Sequence, residues 1–322
     1  MTGLDSILPA AALPFPEIDP VVFALPPFEL FGTEIVLAVR WYALAYIAGL
    51  ALGWFLIREL MRRPALWPAN SAPMPPEKTD DLLFWMTIGV VVGGRLGFIL
   101  FYSPEILWTD PVQALRIWEG GMAFHGGMLG VVLAGYLFAR NNGYAMWSLG
   151  DAVAAVTPIG LFFGRIANFI NGELWGRPTD VSWGMVFPQI TERLVAPDGR
   201  VLPSYADRYP WLLVDGQNVP RHPSQLYEAA LEGLLLFAVI SFLIWRRDAL
   251  KRPGVIVGTF LLGYGLARGF CEFFRQWNVE LGPDAVLFGV EITRGQTLSL
   301  PMVLAGAAIL YWALKRDRTA EA

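Results

Sequence analysis

Apolar positions along the chain gather into seven stretches, separated by shorter polar ones. They cover residues 41–57, 82–102, 123–139, 149–170, 226–245, 255–274 and 298–314. Each is long enough to cross ~30 Å of hydrocarbon as a helix. None shows the ~10-residue alternation of a membrane β-strand. The pattern predicts an all-α polytopic membrane protein with seven transmembrane helices. Residues 1–40 carry Pro9, Pro14, Pro16, Pro20, Pro26 and Pro27, which prevent a long helix there. This segment is expected to lie along the membrane surface. Residues 171–224 form a long polar loop broken by Pro188, Pro197, Pro203, Pro210 and Pro220, able to make a small head subdomain. Residues 64–76 read as a proline-rich linker. The expected organisation is therefore 1–40 interfacial, 41–170 helices one to four, 171–224 head, 225–314 helices five to seven, and 315–322 tail.

Basic residues set the orientation. Twelve lie after odd-numbered spans: Arg58, Arg62, Arg63, Lys78, Arg140, Arg246, Arg247, Lys251, Arg252, Lys315, Arg316 and Arg318. Eight lie on the opposite side, five of them in the long loop: Arg177, Arg193, Arg200, Arg208 and Arg221. The positive-inside rule then places the N-terminus outside and the C-terminus in the cytoplasm.

Composition supports the membrane reading. Of 322 residues, 55% are hydrophobic and 16% charged, where a soluble domain carries about 25% charged residues. The formal net charge of −4 gives no sign of nucleic-acid binding. One cysteine, Cys271, excludes an internal disulfide, and two histidines, His125 and His222, argue against a metal site. Residues 1–39 contain no Lys or Arg, so no cleaved secretory signal is expected.

Polar groups inside the spans carry the candidate chemistry. Arg95, Arg165 and Arg268 all fall within apolar segments, toward the same leaflet. An arginine near mid-membrane costs at least ~2.5 kcal/mol. Three of them predict a shared anionic ligand or acidic partners, with snorkelling as the plainer alternative. Arg95, within Val92-Gly-Gly-Arg-Leu-Gly97, reads equally as a structural counter-charge. Tyr264, Arg268, Glu272 and Arg275 share one helix face, where Arg268–Glu272 is either a structural pair or an orienting one. Arg165, Asn168 and Asn171 recur every three residues. His125, amid glycines, is either a catalyst or an interhelical hydrogen bonder. Tyr42 is either a belt residue or a site hydroxyl. Asp151 reads as a helix cap rather than a catalytic acid, and His222 as a starter of the fifth helix. No Gly-x-Ser-x-Gly elbow occurs. A lipid transporter is the main rival class, but no paired halves are visible.

Five motifs stand in order on these spans: Gly93-Gly-Arg-Leu-Gly97, Phe124-His-Gly-Gly127, Gly164-Arg-Ile-Ala-Asn-Phe-Ile-Asn-Gly-Glu-Leu-Trp-Gly-Arg177, Arg221-His-Pro-Ser-Gln-Leu-Tyr-Glu228 and Glu272-Phe-Phe-Arg-Gln276. With these, nearly the whole chain resembles the bacterial prolipoprotein diacylglyceryl transferase family. The resemblance implies transfer of a diacylglyceryl group from phosphatidylglycerol to the lipobox cysteine of a preprolipoprotein. The products are a thioether-linked lipid and glycerol 1-phosphate, in the first step of lipoprotein maturation at the inner membrane. It implies as partners phosphatidylglycerol, the preprolipoprotein signal peptide and membrane lipids, with no cofactor and no metal. Family positions fall on His125, Arg165, Arg268 and Tyr42 as catalytic residues. Substrate binding falls on Arg165, Asn168, Glu173, Gly176, Tyr264 and Arg268, with Arg95 added here. Two departures from the family pattern appear. Arg40 stands where a histidine is frequent, and Ala167 where a glycine is usual.

Overall fold

The computed structural model describes residues 12–30, 33–35, 37–190, 218–276, 285–287 and 290–320. Arg193, Arg200 and Arg208 of the long loop lie outside the described residues. Helices occupy all seven expected positions: α1 (Trp41–Met61), α2 (Thr79–Tyr102), α3 (Phe124–Asn142), α4 (Met146–Ile170), α5 (Ser224–Arg247), α6 (Val255–Cys271) and α7 (Arg294–Ala320). Among the described residues, five segments are long and apolar enough to cross a membrane: Trp41–Met61, Pro76–Tyr102, Met146–Ile170, Ser224–Arg247 and Gly295–Arg316. The other two differ for local reasons. Helix α6 has 17 residues, about 25 Å at 1.5 Å per residue. It stops at Cys271, three residues before the expected end, because the chain turns to pair with a neighbouring segment: Phe274 O accepts from Arg177 N–H at 2.9 Å. Helix α3 spends Gly126, Gly127, Gly130 and Gly135 on packing and ends Arg140-Asn-Asn142, which lowers its apolar content.

The helices leave much apolar surface uncovered. Ile47, Phe84, Phe101, Leu129 and Leu304 each expose more than half of their area, which water would penalise at about 25 cal/mol per Å². Lipid removes that penalty. The all-α expectation omitted four small two-stranded pairs. These are β1 (Leu13–Pro14) parallel to β6 (Met185–Val186), and, antiparallel, β2 (Val21–Ala24) with β5 (Ala38–Arg40), β3 (Phe28–Leu30) with β4 (Thr33–Ile35), and β7 (Ala285–Leu287) with β8 (Val290–Ile292). The prolines of residues 12–40 thus exclude helix, as expected, but leave short ribbons between them.

The chain divides into two compact units. One comprises Leu52–Val156, Ile240–Gly258 and Ile309–Ala322. Here α2 and α3 cross at glycine. A Cβ on Gly89 would lie 2.5 Å from Gly130 O, and one on Gly97 would lie 2.7 Å from Gly126 Cα. Small residues four apart let the two backbones touch. Arg95, buried in α2, donates through Nε to Ala114 O at 2.9 Å, through Nη1 to Gly120 O at 2.7 Å and Gly121 O at 3.1 Å, and through Nη2 to Gln113 O. It therefore holds residues 111–121 in place ahead of α3. Asp151 is a cap, as expected, but not of its own helix. Its carboxylate accepts from Gly254 N–H at 2.7 Å and Val257 N–H at 2.8 Å, closing the start of α6. The proline-rich linker is also more structured than expected. It folds into single 3₁₀ turns, and Trp67 is fully buried with Nε1 donating to Leu60 O at 2.9 Å.

The other unit comprises Met1–Ala51, Thr157–Val239 and Thr259–Ala308. A small aromatic core of Phe15, Phe169, Phe187 and Trp175 ties β1 and β6 to the end of α4. Close approach recurs here: a Cβ on Gly233 of α5 would lie 2.6 Å from Phe162 Cβ of α4.

The α2–α3 crossing makes a direct prediction. Gly130→Val drives a side chain into the Gly89 carbonyl and should lower stability by about 3 kcal/mol or more. Gly160→Ala, where a Cβ meets nothing within 4 Å, should be neutral or slightly stabilising. Thermal unfolding of both variants in one detergent checks the contrast.

Candidate active site

The end of α4 sets the first part of the site. Gly172, at φ +59°, stops the helix. Its N–H donates to Phe169 O at 2.9 Å, and Glu173 N–H donates to Asn168 O at 3.0 Å. This is the two-bond Schellman closure, which needs the left-handed residue glycine tolerates. The closure turns Glu173 back over its own helix, where its carboxylate accepts from Asn168 Nδ2 at 2.8 Å. Gln225 Nε2 donates to Glu173 O at 2.7 Å, and Ser224 Oγ donates to Leu174 O at 3.0 Å. These bonds dock the turn on the start of α5. Gly176 follows, with its N–H donating to His222 O at 2.8 Å. A Cβ there would lie 2.6 Å from His222 O and also collide with Phe274 O, so only glycine fits.

Charge is concentrated between α4, α5 and α6. Glu228 is fully buried. Its Oε1 accepts from Arg275 Nη1 at 2.9 Å and Arg268 Nη1 at 3.4 Å. Its Oε2 lies 3.2 Å from Arg165 Nη1. Glu232, also fully buried, takes two bonds from Arg165 on one oxygen: Oε2 accepts from Nη2 at 3.1 Å and from Nε at 3.3 Å. Its Oε1 has no hydrogen-bond partner among the described residues. Arg268 also pairs with Glu272, whose other oxygen accepts from Thr293 Oγ1 at 2.7 Å. Three guanidiniums thus meet three carboxylates. Burial of either set alone would be prohibitive. Glu228 and Glu232 are joined by a π-helical turn over Ala229–Leu235, a wide turn frequent at functional sites.

Beside this network Tyr264 is buried, its ring stacked on Phe260 at 5.8 Å. On α1 the Tyr42 and Tyr46 hydroxyls lie 3.4 Å apart. Tyr46 feels the charges of Arg165 and Glu173. Near Gly176, Arg221 is fully buried and donates to Gly176 O and Gln276 Oε1, each at 3.2 Å. Burial pushes its pKa down to about 10, which leaves it charged at neutral pH. Trp183 Nε1 donates to Tyr227 OH at 2.7 Å, and that hydroxyl lies 3.1 Å from His222 Nδ1. Indole is only a donor, so the phenol oxygen accepts from it. Burial pushes the His222 pKa below its ordinary value, with Asp180 opposing.

Of the residues singled out from sequence, Tyr42, Arg165, Asn168, Glu173, Gly176, Tyr264 and Arg268 belong to this one unit. Arg95 and His125 belong to the other. Arg95 spends its donors on four backbone carbonyls. His125 is exposed in the first turn of α3. The Arg268–Glu272 pair is present as read. Glu228 and Glu232 received no role from sequence. Two acids four apart in an otherwise apolar segment were the available signal, by the same argument that singled out the arginines. Tyr46, one turn beyond Tyr42, was also missed. Among the described residues no cluster of His, Cys, Asp and Glu is placed to hold a metal.

Comparison with known proteins gives one answer. The family model described as prolipoprotein diacylglyceryl transferase matches residues 30–312. The chain is 47% identical over 312 residues to the phosphatidylglycerol–prolipoprotein diacylglyceryl transferase of Rhizobium meliloti (strain 1021), covering 97% of this chain and 96% of that protein. It is 46% identical over 319 residues to the protein of that name from Ruegeria pomeroyi, covering 97% and 99%. The Brucella canis protein of that name is 44% identical over 319 residues, covering 99% of each. With the family model spanning most of the sequence and such relatives matched almost end to end, the chain belongs to the prolipoprotein diacylglyceryl transferase family.

Proposed function

We propose that the chain moves the diacylglyceryl group of phosphatidylglycerol onto the lipobox cysteine of preprolipoproteins. It does so as a seven-span protein of the bacterial inner membrane, N-terminus outside, C-terminus in the cytoplasm, with residues 171–224 as a periplasmic head. The observation that carries this reading is the pair Arg165 and Arg268, converging on the buried Glu228 with 16% of each arginine side chain still exposed. The phosphodiester is a single anion with two free oxygens. Planar guanidiniums bind such a group through charge-assisted hydrogen bonds.

In the reaction the cysteine sulfur attacks the diacylglyceryl carbon bonded to the phosphate oxygen. A C–S bond forms, the C–O bond breaks, and the electron pair stays on glycerol 1-phosphate. Negative charge grows on the leaving oxygen, so the arginines stabilise the transition state more than the ground state. Asn168 and Tyr264 fix lipid oxygens, and Tyr42, with Tyr46, supplies hydroxyls at the rim. His125 either takes the thiol proton or orients the thiol. Its role rests on the resemblance of Phe124-His-Gly-Gly127 to the family. No cofactor is needed, because the leaving group is already a phosphate ester.

The test is transfer by the purified full-length chain in detergent, with phosphatidylglycerol and a lipobox peptide. Diacylglyceryl mass on the peptide should appear with one glycerol phosphate released. Lipid binding without any peptide modification would favour a lipid carrier instead. Arg165→Ala should reduce turnover by about 10²–10³-fold, and near-normal turnover would remove the headgroup clamp. Arg268→Lys keeps the charge but loses the fork, and should still fall about tenfold or more. His125→Ala should lose about 10²-fold or more while inserting normally. His125→Gln separates its two roles: an orienting residue is partly replaced, a base is not.

A further inference from the structure

Among the described residues, the contact network of Arg165, Arg268 and Arg275 with Glu228, Glu232 and Glu272 is electrically balanced before any ligand arrives. A phosphodiester entering it would leave one uncompensated negative charge in a buried site. Such a charge is not tolerated in low dielectric, and either leaves or takes up a proton. The three carboxylates are not held equally. Glu228 meets three arginines. Glu272 meets Arg268 and the Thr293 hydroxyl. Among the described residues Glu232 pairs with Arg165 alone, through one oxygen, and its buried second oxygen has no hydrogen-bond partner, whereas Glu228 Oε2, also without a hydrogen bond, keeps its ion contact with Arg165.

We propose that Glu232 is the exchangeable counter-ion of the site: the lipid phosphodiester takes its place on Arg165, and the displaced carboxylate takes up one proton from solvent. Release of glycerol phosphate reverses both steps. The proposal rests on the headgroup reading of Arg165 given above. The other groups near Glu232 are Arg165 from α4, Glu228 from its own helix, and Tyr264, Arg268 and Cys271 from α6. After the exchange Glu228 keeps Arg268 and Arg275, whereas Glu232 keeps no ion pair among the described residues. The proton is therefore assigned to Glu232.

The experiment is calorimetric binding of phosphatidylglycerol to the full chain in mixed micelles, without peptide, repeated in buffers of different ionisation enthalpy. The wild type should take up about one proton per lipid, and its affinity should fall up to roughly tenfold per pH unit as pH rises. Glu232→Gln mimics the protonated acid. It should bind about tenfold more tightly at pH 7.5 with no proton uptake, since it removes the competing anion. Wild-type binding without proton uptake overturns the proposal whatever the variant does. So does weaker binding by Glu232→Gln, or uptake that persists in it, which would trace the proton to another group. Absence of any wild-type binding would overturn the headgroup reading itself, and the exchange with it.

Discussion

A guanidinium cannot be buried among apolar helices without an anion or a set of acceptors to receive it. Most of the architecture around the site follows from that constraint. Arg165, Arg268 and Arg275 come from two segments, and Glu228 from a third receives all of them. To reach Arg165 as well, Glu232 rides on a wide helical turn whose next residue, Gly233, allows α5 to touch α4 at Phe162. Thr293 and the bare Gly295 backbone hold Glu272 against Arg268 from the start of α7. Four helices are thus fixed by one ionic cluster, and the apolar contacts fill in around it.

Arg95 meets the same constraint by another route. It has donors only, and it satisfies them on four carbonyls of the segment ahead of α3. That requires those carbonyls to turn inward, which positive φ at Gly120 and Gly121 provides. Asp151 is the mirror case, an acid satisfied by two backbone N–H groups at the head of α6. Both charges brace the backbone within their unit. The arginines of the other unit differ because carboxylates, which an anionic ligand can replace, receive them.

The helix positions were legible because a period-free apolar run of sufficient length has few other solutions. The Arg268–Glu272 pair was legible because helix geometry fixes neighbours four apart. The partners of Arg165 were not, since Glu228 and Glu232 lie more than sixty positions away, and spacing says nothing about contacts between helices. Asp151 shows the same limit. Its type announces a cap, but which helix it caps depends on a segment a hundred residues downstream. The end of α6 was misjudged because backbone pairing with residues 176–177 overrode an apolar sequence that would have continued the helix. Glu173 was legible only as a neighbour of the Asn168 face, although Gly172 already encoded the turn that brings the two together.

A balanced network also explains how a site for an anion can rest without one. Three unpaired arginines would demand a permanent guest or would draw any passing anion. Three arginines matched by three acids are stable alone, yet the match is uneven. The acid with most partners sits at the centre, and the acid with fewest sits on Arg165, which like the other two guanidiniums keeps some exposure. Substituting the central acid should therefore disturb folding, and substituting the outlying one should disturb selectivity for the anion. The asymmetry between Glu228 and Glu232 separates the acid that ties three arginines together from the one that the proposed exchange would displace.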